Sequence, residues 1–271
     1  MKKRIFLIVL LLSGSVFAWS QASYKSKSLV IELGANSTIT GLYNPQDNSN
    51  YKAQETESFL FSIKCGDHVL APSKAKYRKG FINLFFDNGT EAKISVKQSA
   101  DYLTFELLKI TNKEQLDAVI WGPISNTISE TIGEFVGVVR NKDYALGIQG
   151  LNARTTGGVL ENEQGTVWAR GTAAVARDYG SSLQAFTTNS AKDRNIEIWR
   201  EGGENNHKTL VKAIEEGKPE GSKIALFGTL PDNVLNTIGI IEKAEGLPHP
   251  EIDGVWIKES ALRESPPPQA T

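Results

Sequence analysis

The chain predicts a mainly β fold, an antiparallel β-sandwich with two helices near the C-terminus. Three observations lead there. Between Ser28 and about Phe186, short runs of alternating or β-branched residues recur, with Asn, Asp and Gly turn signals between them. Helical spacing is confined to the last quarter. Many short strands joined by turns, without strand–helix alternation, mean a sandwich or barrel and not a βαβ layout.

In chain order, Phe81 to Phe86 and Glu91 to Lys97 flank Asn88-Gly89, a two-residue hairpin signal because both residues tolerate positive φ. That register places Phe81, Asn83 and Phe85 on one face with Ala92, Ile94 and Val96, and Ile82, Leu84 and Phe86 on the other. Tyr102 to Leu108 continues the meander, with Leu103, Phe105 and Leu107 on one side and Thr104 and Glu106 opposite. Glu134 to Val139 and Tyr144 to Gln149 form a second expected hairpin across Asn141-Lys142-Asp143. Thr166 to Val175, Leu183 to Thr188 and Asn195 to Arg200 add further strands. His207 to Glu216 carries Leu210, Val211 and Ile214 at helical spacing, with Gly217 as its stop. Lys223 to Gly228 reads as a strand. Asp232 is the expected N-cap of a second helix ending before Gly246, on which Val234, Leu235, Ile238 and Ile241 form one stripe. Ile240 falls off that stripe, as an exposed residue or as part of a second packing surface. Pro248 and Pro250 hold the chain extended around His249, and Trp256 follows in a short strand-like run.

The first residues have the form of a secretory signal. Lys2, Lys3 and Arg4 precede an apolar stretch from Ile5 to Leu12, and small residues at Ala18, Ser20 and Ala22 offer cleavage patterns. The apolar stretch is too short for a stable membrane anchor. Export to the periplasm or cell exterior is therefore expected, with 1–22 as signal peptide, 23–203 as the β-sandwich domain, 204–256 as an αβ segment and interdomain linker, and 257–271 as a disordered tail. Without Lys2, Lys3 and Arg4 the chain keeps 27 basic and 31 acidic residues, a net charge of −4. Such a balance argues against nucleic acid or an anionic membrane as partner. Cys65 is the single cysteine, so no intrachain disulfide forms, and a buried free thiol is its expected role.

Few residues advertise chemistry. Glu130 and Glu134 bracket ETIGE, and Glu242 and Glu245 sit on the last helix, but spacing alone builds no carboxylate pair of the kind that flanks a glycosidic bond. His68, His207 and His249 are scattered, without metal-ligand spacing. No nucleophile elbow occurs, Tyr179 to Gln184 being a poor imitation, and the Gly157-Gly158 and Gly202-Gly203 pairs lack the context of a phosphate loop. No catalytic residue, metal ligand or cofactor is assigned. Trp121, Trp168, Trp199 and Trp256 leave two readings open. Aromatic rings either fill the core or present flat platforms to sugars, with neighbouring polar side chains engaging hydroxyls. On the second reading the candidate carbohydrate-binding residues are Trp168, Arg170, Trp199, Asn152 and Arg154. Trp121-Gly-Pro reads as structural, a ring covering the corner made by Pro123.

Two longer segments, VIWGPISNTISETIGEFVGVVRNKDYALGIQGLN from Val119 to Asn152 and KIALFGTLPDNVLNTIGIIEKAEGLPHPEIDGVW from Lys223 to Trp256, add a resemblance. Both resemble the N-terminal region of large secreted bacterial glycoside hydrolase-like proteins of polysaccharide-degradation systems. The resemblance implies a mutarotase-like supersandwich that precedes a (β/α)8 catalytic barrel, with the last helix and Leu247-Pro-His-Pro at the join. The barrel's own pattern is absent from this sequence, so no catalytic residue carries over. Implied partners are a polysaccharide or oligosaccharide and the missing C-terminal barrel. An accessory domain of a glycoside hydrolase is the leading expectation. A free carbohydrate-binding module, or a structural envelope protein without ligand, are the alternatives.

Overall fold

The computed structural model describes residues 22–133, 137–163, 166–170, 173–198, 207–248, 251–252 and 255–256, with the backbone alone at 159–163, 166–170, 195–198, 207–208 and beyond 248. The first strands are β1 (Ala22–Lys25), β2 (Val30–Leu33), β3 (Ile39–Tyr43), β4 (Phe61–Cys65) and β5 (His68–Leu70). A meander follows as β6 (Lys74–Arg78), β7 (Phe81–Phe85), β8 (Glu91–Gln98) and β9 (Leu103–Ile110). Next come β10 (Ala118–Asn126), β11 (Thr131–Gly133), β12 (Val138–Arg140), β13 (Ala145–Gly150), β14 (Thr156–Gly157), β15 (Val159–Glu163) and β16 (Thr166–Arg170). The chain continues through β17 (Ala174–Arg177), β18 (Gly180–Thr188), β19 (Arg194–Ile198), β20 (His207–Val211), β21 (Lys223–Thr229), helix α1 (Val234–Glu245), β22 (Glu251–Ile252) and β23 (Val255–Trp256).

The expected mainly β, antiparallel architecture is what the strands build. An eight-stranded sheet runs β11-β12-β13-β21-β9-β8-β7-β6, and a six-stranded sheet contains β14-β18-β10-β4-β5 with β17 on β18. A third sheet, β1-β2-β3, adds Tyr24, Ile31, Leu33 and Leu42 to the same core. Between the two large sheets, Ile82, Leu84, Ile94, Leu103, Phe105 and Leu226 meet Phe61, Ile63, Val119, Trp121 and Leu183, all fully buried. Removing this much apolar surface from water is the main stabilising term. Trp121 is structural as expected. Its ring meets Phe61 edge-on at 4.9 Å, and its Nε1 donates 2.8 Å to Ser222 Oγ. The following Gly122-Pro123 bond is cis.

The hairpin at Asn88-Gly89 forms, with a different loop and register. Gly89 alone takes the left-handed conformation (φ 78°), its N–H donates to Phe86 O, and Phe86 N–H donates to Thr90 O. The loop is thus three residues, Asp87-Asn88-Gly89, one longer than expected. A one-residue change moves every side chain to the opposite face. Ile82 pairs with Ile94 and Leu84 with Ala92 on the core side, while Asn83 pairs with Lys93 and Phe85 with Glu91 outside. Leu103, Phe105 and Leu107 point inward as expected, and a bulge at Leu108 then returns Ile110 to the core.

Two further departures lie in the last quarter. The stretch expected as a first helix, His207 to Glu216, starts instead as β20, which pairs with β19 from His207↔Ile198 to Val211↔Arg194. Leu210 and Ile214 are exposed, so the helical spacing marks no buried stripe. Among the described residues α1 is therefore the single α-helix. It begins after a 3-10 turn at Pro231–Asn233, with Asn233 at the N-cap position and not Asp232, and it ends at left-handed Gly246. The expected Thr166 to Val175 strand is broken into β16 and β17. Glu134 lies outside the described residues, as do residues 1–21, His249, Pro250 and residues 257–271. Among the described residues no helix is long and apolar enough to cross a membrane.

Candidate functional site

The outer face of the eight-stranded sheet is divided between two surroundings. At the β12-β13-β21 end, Val138, Ala145, Ala225 and Phe227 form a second core with Tyr102, Leu151 and Ile241 of α1, and Val234, Ile238 and Leu247 pack against it. Leu235, expected in the stripe, is 36 % exposed, because the buried face runs through Val234, Thr237, Ile238 and Ile241. Polar pairs pin the helix. Glu245 accepts from the Tyr102 hydroxyl at 2.8 Å and from Lys223 Nζ at 2.6 Å, and Gln149 Nε2 donates 3.0 Å to Glu242. Of the carboxylates singled out in the sequence, Glu242 and Glu245 thus fasten α1 to the sheet, and Glu130 is exposed.

At the other end, β6-β7-β8-β9, no helix among the described residues covers the face. Strand alternation there brings Lys74, Lys76 and Arg78 beside Phe85, Asn83 and Phe81, and these beside Glu91, Lys93 and Ser95. Lys93 in turn lies opposite Lys109. The result is a groove of about 340 Å³ lined by Asn83 and Phe85, by the cations Lys76, Arg78, Lys93 and Lys109, and by one carboxylate, Glu91, at its edge opposite Phe85. Phe81 is 37 % exposed. The ammonium of Lys93 sits 4.5 Å from the Phe81 ring centre, and that of Lys76 sits 5.1 Å from Phe85. A cation held over an aromatic face is attracted by the ring's electrons, which lays the side chain along the sheet. The arrangement offers apolar ring surface, an amide and fixed positive charge in one open groove. It is suited to binding and orienting a polar ligand.

The residues named from sequence fall elsewhere. Asn152 and Arg154 come together in the loop after β13. Asn152 donates 2.6 Å to Gly221 O and accepts from the backbone of Arg154 and Thr155. The Arg154 guanidinium donates to the carbonyls of Glu216, Lys218 and Glu220 at 2.7, 2.8 and 3.0 Å. Both side chains hold the 216–221 loop, and Arg154 also lines a second cavity of about 350 Å³ with Thr156, Thr188 and Ile214. Trp168 and Arg170 lie on β16, whose side chains are outside the described residues, as is Trp199. Cys65 is half-buried and lies 3.7 Å from Asn88 Nδ2. Burial pushes its thiol pKa up, helped by the charge of Asp117. Among the described residues no cluster of three or more His, Cys, Asp or Glu is placed to hold a metal ion.

Sequence reasoning missed the β6–β9 groove. The signal was present in Lys-Ala-Lys-Tyr-Arg and Glu-Ala-Lys-Ile-Ser, whose polar residues alternate and must share the outer face of adjacent strands.

No protein-family model matches the chain. No curated protein matches it either. Among solved structures, the fold is similar to a Family GH92 inverting mannosidase from Bacteroides thetaiotaomicron VPI-5482, with a TM-score of 0.36 and 12 % sequence identity. That match covers 83 % of this chain and 31 % of the mannosidase, so the chain spans less than a third of that protein's length.

Proposed function

We propose that this chain is a glycan-binding β-sandwich that serves as an exported accessory domain of a glycoside hydrolase. The observation that carries the reading is the groove on the outer face of β6–β9, lined by Phe85 and Asn83 among cations, with the Phe81 ring under Lys93 beside it. Apolar ring carbon beside a side-chain amide complements the mixed C–H and hydroxyl surface of a sugar. The resemblance of Val119–Asn152 and Lys223–Trp256 to accessory sandwiches supports the partnership with a catalytic barrel. The Lys2–Arg4 and Ile5–Leu12 pattern supports export.

Affinity electrophoresis of the purified protein through gels containing a panel of neutral and acidic polysaccharides tests the reading. At least one polysaccharide should retard it, and Asn83→Ala/Phe85→Ala should weaken that retardation roughly 3- to 10-fold, the range an aromatic contact contributes. Migration unaffected by every polysaccharide would overturn the proposal.

A further inference from the structure

We infer that the β6–β9 groove takes an anionic polysaccharide, one whose sugars carry carboxylate or sulfate groups, an inference that rests on the reading of this face as the glycan site. Register supplies the first reason. Lys76, Asn83, Lys93 and Lys109 stand directly opposite one another on four adjacent strands, giving one transverse row of three cations and an amide. Like charges directly opposed across a strand pair weaken it. Yet among the described residues no carboxylate lies within ion-pair distance of Lys76, Lys93 or Lys109, although six other lysines have such a partner. An anion lying over the row removes that repulsion.

The second reason is preorganisation. Lys93 and Lys76 are drawn over Phe81 and Phe85 at 4.5 and 5.1 Å, so two of the cations are already gathered over the sheet. Less side-chain freedom is lost when a ligand arrives. Spacing agrees as well. Neighbouring strands lie about 4.8 Å apart, and a pyranose chain advances by close to that length per ring, so successive acidic sugars crossing the strands meet successive positions of the row.

Affinity electrophoresis with matched probes decides the matter. Polygalacturonate and its fully methyl-esterified form isolate the carboxylate, dextran sulfate and dextran isolate the sulfate, and yeast mannan and single-stranded DNA complete the set. Retardation is expected in polygalacturonate, in dextran sulfate or in both, and the pattern says which anion is read. It should vanish at about 1 M salt, where the screening length falls to roughly 3 Å. Lys93→Gln/Lys109→Gln should weaken retardation roughly tenfold, as two exposed charge pairs would, while the melting temperature stays level or rises because the opposed charges are gone. Lys142→Gln/Lys212→Gln, an equal charge change elsewhere on the surface, should leave binding as it was. Equal retardation by the neutral and acidic member of each pair would overturn the anionic assignment and leave the glycan site standing. Equal affinity for DNA would overturn it in favour of a general polyanion patch. No retardation by any glycan would remove the underlying function as well.

Discussion

Burial alone would raise the pKa of Glu245, whose side chain is 6 % exposed. The hydrogen bonds from Lys223 and Tyr102 outweigh that penalty, with help from the charges of Lys223 and Lys97, and the carboxyl lies below the ordinary carboxylate range. Tyr102 shifts the other way, to about 12, through burial and then through its bond to the carboxylate. Because the folded state lowers the Glu245 pKa, the unfolded chain takes up the proton first as pH falls. The stabilisation is complete above the unfolded pKa and is lost as pH drops through the depressed folded value. Replacing Glu245 by Gln should cost about 1–3 kcal/mol at pH 7, the usual worth of hydrogen bonds to a buried charge. Urea denaturation at pH 7 and at pH 3 checks this. The difference between parent and variant should shrink on acidification, and a difference that stays constant with pH would mean the charge contributes nothing.

The β7–β8 hairpin shows what the sequence could and could not tell at the scale of an element. Strand positions were legible, because alternation over Phe81–Phe85 and Glu91–Gln98 survives whatever the loop does. Loop length was not, since Asn88 and Gly89 fit a two-residue turn as readily as the last two places of a three-residue one. The resulting one-residue slip hid the groove, for it put Asn83 and Phe85 on the face of Ala92 and Ile94, which the structure places in the core. The segment His207–Val211 misled for a related reason. Three apolar residues at helical spacing carry weight only if a helix has something to bury them against, and Leu210 is 52 % exposed. Asn152 and Arg154 were legible as polar residues after a strand, whereas their bonds to the 216–221 backbone depend on contacts more than 60 residues away. Gly89 is the testable residue of the hairpin. At φ 78° an added Cβ would come no closer than 3.8 Å to Asn112 Nδ2, so sterics with neighbours cost nothing and the left-handed backbone carries the whole penalty. Gly89→Ala should lose about 1–2 kcal/mol, and Gly89→Asn should recover part of it, as read by thermal or urea denaturation. An unchanged Gly89→Ala stability would mean the loop can adopt another conformation.

Across the whole molecule, one sheet serves two cores and one open surface. Its inner face closes the sandwich through Ile82, Ile94, Phe105 and Leu226, its outer β21 end holds α1, and its outer β6 end remains the groove. The helix core is small and separate, so it can be weakened without opening the sandwich. Ile241 is fully buried at its centre, and Ile241→Ala should cost about 2–5 kcal/mol through lost burial and the cavity left behind. That loss falls on the docking of α1, because Ile241 belongs to the core formed with Phe227 and Val138 and not to the one between the sheets. Amide hydrogen exchange should therefore quicken across Val234–Glu245 while β8 and β9 keep their protection, as expected where local opening is cheaper than global unfolding. Acidic-glycan retardation should be no weaker in this variant, since no groove residue contributes to the helix core. Loss of protection in both regions together would show instead that the two cores open as one cooperative unit, with the groove depending on the helix behind it.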